Sequence, residues 1–179
     1  LTNCGFRVVA VDLRGFGKSD TPACGYTYNQ MAADIFSVVQ RLKLRNFILV
    51  GFSMGGAIAL RYMNIFKGFG VCKLILLSAA APQLCLNFSK QLFASPHSEA
   101  VIDWFREIAL SASGLGTIKC GIALREEDGR KDLSCVRVPA FIIHGDKDVI
   151  VSNELAEIQH KGICGSKLIT LSNSGHGIT

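Results

Sequence analysis

Gly51, Phe52, Ser53, Met54 and Gly55 form the pattern G-x-S-x-G, a serine between spaced glycines. In a chain with 18 glycines that pattern alone is a weak signal. Its setting gives it weight. An apolar run, residues 47–50, leads straight into it, and a stretch of helical period comes after it, from Met54 through Ala57, Leu60 and Arg61 to Phe66. A serine on a tight strand-to-helix turn is pushed out at the sheet edge in a strained backbone conformation. Glycine is expected two positions before and two after Ser53, because a Cβ at either would collide with the adjoining strand or helix. Ser53 would then open a helix, where unpaired N–H groups favour negative charge. The Met54 N–H is placed to donate to a developing oxyanion.

A serine hydroxyl is a poor nucleophile without a base. The histidines are His97, His144, His160 and His176. His176 lies in residues 172–177, SNSGHG, just after an apolar run, so it should sit at the same sheet edge as Ser53. Its small neighbours leave room for an imidazole to reach a site. His144 ends another apolar run and reads as a buried structural residue. His97, after Pro96, reads as a surface residue, and His160 as a solvated one near a helix C-terminus, where a cation is favoured. The base in turn needs an orienting carboxylate. Asp146 and Asp148 both come after His144-Gly145, and their positions alone leave the choice between them open.

Elements that could hold these groups alternate along the chain. Apolar runs at residues 6–11, 47–50, 73–78, 140–143 and 167–171 read as strands. Between them lie helical periods. One begins after Thr27, which with Gln30 fits a capping box, and carries Met31, Ile35, Val38, Val39 and Leu42. Another spans about 152–161. Runs that are apolar on both faces, joined by helices, predict an α/β fold with a mostly parallel sheet covered by helices on both faces. Residues 83–134 break the alternation and read as a short helical cap insertion in a single domain, 1–179. Its one tryptophan, Trp104, and Phe52, next to Ser53, are candidates for lining a substrate pocket.

Composition narrows the class. The 179 residues are 49% hydrophobic and 18% charged, enough to bury a core and too apolar for a disordered segment. The net charge of +5 is spread thinly, which argues against a nucleic-acid partner. No run of about 18 apolar residues is present, so no membrane span is expected. Seven cysteines, odd in number and widely spaced, read as free thiols in a reducing, cytoplasmic setting rather than as metal or redox pairs. The oligomeric state is left open.

The sequence resembles the α/β-hydrolase superfamily, and is most similar to its bacterial cofactor-free chloroperoxidase-like esterases and lactonases. The matching motifs occur in order over nearly the whole chain: residues 11–20 (VDLRGFGKSD), 49–59 (LVGFSMGGAIA), 76–82 (LLSAAAP), 143–151 (IHGDKDVIV) and 173–176 (NSGH). The resemblance implies a carboxylic ester hydrolase with Ser53 as nucleophile, His176 as base and Asp148, rather than Asp146, as orienting carboxylate. It implies a small-molecule acyl substrate, no metal and no organic cofactor. Asp12 and Arg14 are expected to form a local ion pair in a structural loop. Two alternatives remain: haloperoxidase or perhydrolase chemistry on the same triad, and a non-catalytic signalling or interaction protein on the same fold. The family pattern also has strands and part of a helix before this point, and a helix after the histidine. The sequence therefore reads as a fragment, without the second oxyanion donor, poorly active in isolation and with an uncovered sheet edge.

Overall fold

The computed structural model describes residues 1–80, 107 and 111–178. Strands β1 (Phe47–Phe52), β2 (Val71–Leu77), β3 (Ala140–Gly145) and β4 (Lys167–Leu171) form one sheet in the order β1-β2-β3-β4. Every neighbouring pair is parallel. Four of the five apolar runs are therefore strands. The fifth, residues 6–11, is not: it carries no ladder bonds, and Phe6, Val8, Val9 and Val11 are exposed. Its composition suits a strand, but a strand exists only where a partner offers its backbone groups. Among the described residues, β1 pairs with β2 alone and its other edge has no strand partner.

The helices are α1 (Tyr28–Arg41), α2 (Met54–Ile65), α3 (Gly114–Glu126), α4 (Arg130–Leu133) and α5 (Asn153–Gly162). Thr27 caps α1 by accepting the Gln30 N–H at 3.2 Å. The Gln30 side chain turns to Asp34 instead, so half of the capping box forms. α1 packs on α2, α2 on β1, and α5 on β3 and β4. Met31, Tyr62, Met63, Leu74, Leu76, Ile142 and Ile163 are fully buried between these layers. Each such side chain contributes about 1.5–3 kcal/mol by leaving water. Phe36 stacks on Phe66 at 4.0 Å and leans on Tyr62, which locks α1 to α2.

Of the insertion expected over 83–134, residues 83–106 and 108–110 lie outside the described residues, and with them Trp104, Cys85 and His97. The described remainder contains α3 and α4 and no strand. Asp12 and Arg14 do not form the expected ion pair. Arg14 instead forms a two-pronged bond to Asp34 on α1, both contacts at 2.6 Å. Asp12 is engaged by its own loop, accepting the Lys18 N–H at 3.0 Å. Among the described residues, no helix is long and apolar enough to cross a membrane.

The ladder register aligns the strand ends. Phe52 sits beside Leu77, Leu77 beside Ile143, and Gly145 beside Leu171. The strands thus finish at one common rim, and the chain leaves each of them into a loop there.

Candidate active site

Ser53 leaves β1 at φ 49° and ψ −122° and serves as the N-cap of α2. Positive φ is costly for a residue with a Cβ and persists only where the surroundings enforce it. Here β2 enforces it. The Ser53 N–H donates to the Leu77 carbonyl at 3.0 Å, and its own carbonyl accepts the Ala80 N–H at 2.9 Å. A serine in this place usually caps its helix with its hydroxyl. This one makes no such bond. Its Oγ lies 2.9 Å from Nε2 of His176.

The glycine requirement around Ser53 is shifted from the expected one. A Cβ on Gly51 would meet the Gly55 carbonyl oxygen at 2.5 Å, as anticipated. One on Gly55 would meet nothing within 4 Å, whereas one on Gly56 would strike the Ala79 side chain. The close approach is between α2 and the end of β2, and the helix presents Gly56 to it rather than Gly55.

His176 is 1% exposed, and its Nδ1 lies 2.9 Å from Oδ2 of Asp148. A carboxylate only accepts, so Nδ1 carries the proton and Nε2 offers its lone pair to the serine hydroxyl. Asp148 is also buried, and its other oxygen accepts the N–H groups of Ile150 at 2.9 Å and Val151 at 2.8 Å. Burial works against its charge. The bond from His176 and the two backbone N–H groups outweigh burial and hold the carboxyl below its ordinary value. Asp146 is exposed at the same turn. The loops after β3 and β4 are tied to each other, since the Asp146 N–H reaches the Leu171 carbonyl at 3.0 Å and the Lys147 N–H that of Ser174 at 2.9 Å.

Phe52 is half exposed and its ring rests against the His176 imidazole, centroids 5.0 Å apart. Met54 is the first residue of α2, so its N–H is one of those that no carbonyl of the helix can satisfy. His160 is exposed and bonds Ser166 at 2.8 Å. His144 is buried, as its strand position implies, but sequence reasoning missed a neighbour: its Nε2 lies 3.4 Å from Oδ2 of Asp148. Spacing carries no signal for this contact, because His144 lies on a strand and it is the turn after Gly145 that brings Asp148 back beside it. Among the described residues, no group of three or more His, Cys, Asp or Glu side chains is arranged to hold a metal ion.

A hydroxyl aimed at an imidazole, which is aimed at a carboxylate, beside a helix N-terminus, is an arrangement suited to nucleophilic acyl transfer. Comparison with known proteins agrees in class. Residues 1–96 match the family model described as the alpha/beta hydrolase fold. The AB hydrolase superfamily protein YisY of Bacillus subtilis is 44% identical over 97% of this chain and 75% of its own. An esterase from Exiguobacterium antarcticum superposes with a TM-score of 0.89 at 41% identity, over 93% of this chain and 73% of that one. A bromoperoxidase from Bacillus anthracis does so at 0.87 and 31%, with the same coverage. The chain belongs to the α/β-hydrolase fold family.

Proposed function

We propose that the protein is a serine hydrolase that transfers the acyl group of a carboxylic ester or lactone to water. The observation that carries this reading is the unbroken series of bonds from Ser53 through His176 to Asp148, each 2.9 Å long. Ser53 Oγ attacks the acyl carbon while its proton passes to His176 Nε2. Asp148 keeps the imidazole in the required tautomer and balances the imidazolium that forms. The Met54 N–H donates to the oxyanion, a contribution of about 2.7–4 kcal/mol for one such donor. The bond to the leaving oxygen breaks as His176 returns the proton to it. Water then attacks the acyl-enzyme by the same route, releasing the acid and restoring Ser53. Phe52, against His176 and half open to solvent, is suited to form one wall for the acyl group.

A second reading keeps this acyl-enzyme and lets hydrogen peroxide replace water, so that a peracid leaves. The likeness to a bromoperoxidase at 31% identity supports it. A panel of p-nitrophenyl esters, with and without peroxide and bromide, separates the two. Hydrolysis without halogenation is the expected outcome. Bromination dependent on a carboxylic acid and peroxide, outpacing hydrolysis, would favour the second reading. Neither activity in folded protein would sink both and leave a binding role on the same fold.

A further inference from the structure

Asp148 faces two imidazoles, and acyl transfer by Ser53 uses only that of His176. The other, His144, is the residue before the last in β3 and is 1% exposed. Its Nε2 lies 2.8 Å from the Val151 carbonyl. A carbonyl only accepts, so this nitrogen carries the proton. The same nitrogen lies 3.4 Å from Oδ2 of Asp148, the oxygen that receives His176. Val151 is thereby held at both ends, its N–H on Asp148 Oδ1 and its carbonyl on His144. The ring ties the far end of the loop from Asp148 to Val151 to the strand, while the Asp148 N–H ties the near end to the Gly145 carbonyl at 3.2 Å.

The other ring nitrogen tells what the position uses. Nδ1 of His144 is buried and has no hydrogen-bond partner among the described residues. An apolar side chain of similar size would fill the space without stranding a polar atom. The donor on Nε2 is what such a side chain would lack.

We propose that His144 is a positioning residue: its Nε2–H braces the Val151 carbonyl and the flank of Asp148, and so sets the carboxylate at the place from which it orients His176. The inference rests on the proposed role of Ser53, His176 and Asp148. Displacing a catalytic group by about 1 Å can cost 100-fold in rate, and the loss belongs in kcat when substrate binding is untouched.

Glutamine carries an amide nitrogen as many bonds from the backbone as His Nε2, and asparagine one bond fewer. The test therefore compares His144→Gln, His144→Asn and His144→Leu. Active sites are counted by fluorophosphonate, and the His176 Nδ1–H is followed as a downfield proton resonance. The expected result is His144→Gln within about threefold of the parent in kcat, and His144→Asn lower by about 10- to 100-fold with KM nearly unchanged. The resonance should stay sharp in the glutamine variant and broaden by exchange in the asparagine one. Equal kcat and equal resonances in the two amide variants would overturn the proposal, and so would a glutamine variant that does not fold. If the leucine variant unfolds, the amide pair still decides. Parent protein that neither labels nor hydrolyses would sink the hydrolase reading, while the resonance comparison still tests the hold of His144 on Asp148.

Discussion

Arg61 holds two carboxylates and His176 one, and the two clusters are wired in opposite ways. Around Arg61 both carboxylates are engaged through both of their oxygens. Its Nε donates to Asp132 at 2.7 Å, and its Nη1 to Glu127 at 3.2 Å and to Asn29. The second oxygen of Asp132 takes Asn64 at 2.7 Å, and that of Glu127 takes the Tyr28 N–H at 2.7 Å. Residues of α1, α2 and α4 and the residue capping α3 are pinned together, on relaxed backbone. Around His176 the series runs one way and stops at a half-buried hydroxyl on a strained residue. Saturated polar clusters hold elements in place. An open-ended one, with its last member held off a helix cap it would otherwise serve, fits the proposed passage of a proton from Ser53 to His176.

That contrast can be broken from either side. The largest effect is expected for Asp148→Asn. The amide offers Nδ1 of His176 a donor in place of an acceptor and favours the wrong tautomer, so kcat should fall by about 10⁴-fold, read by steady-state kinetics on folded protein. Melting temperature should change far less than activity does. Next comes Arg61→Met, which keeps apolar volume but strands Asp132 and Glu127. It should lower stability by about 3–5 kcal/mol, measured as a shift in the urea midpoint, with kcat per folded molecule unchanged. A variant that keeps its stability and loses kcat would erase the distinction between the clusters.

The smallest effect is that of acid. Asp148 is held below its ordinary carboxylate value in the folded chain. Its contribution to stability is therefore full above the unfolded value of about 3.9 and is lost as pH falls through the lower folded one. Urea midpoints between neutral and strongly acidic pH should fall less steeply for Asp148→Asn than for the parent. Parallel curves would mean that Asp148 gains nothing from its partners on folding.

Much of this site could be read from local pattern, because its key feature is local. A strand, a glycine-flanked serine and a helix are neighbours in sequence, and strand-to-helix turns leave a composition signal. The pairing of Ser53 with His176, which are 123 residues apart, comes from both loops lying at the carboxyl ends of parallel strands. Choosing Asp148 over Asp146 needed the family pattern. What separates them is which one the turn folds back onto the Ile150 and Val151 N–H groups, and composition does not carry that. Residues 6–11 failed as a strand because pairing depends on a neighbour elsewhere. Arg14 chose Asp34 over Asp12 because α1 delivers a second carboxylate that is not already engaged by its own loop. The burden on Gly56 rather than Gly55 depends on how α2 meets Ala79, a packing detail beyond the reach of spacing.

The proposed hydrolase chemistry requires that His176 make the Ser53 hydroxyl reactive. Its most direct test is the site and rate of reaction with a fluorophosphonate, read by mass spectrometry of peptides from the intact protein and from His176→Ala. A single adduct is expected, on Ser53, that forms in the parent and is slowed by orders of magnitude in the variant. An adduct on another residue, or labelling of Ser53 at equal rates with and without the imidazole, would contradict it.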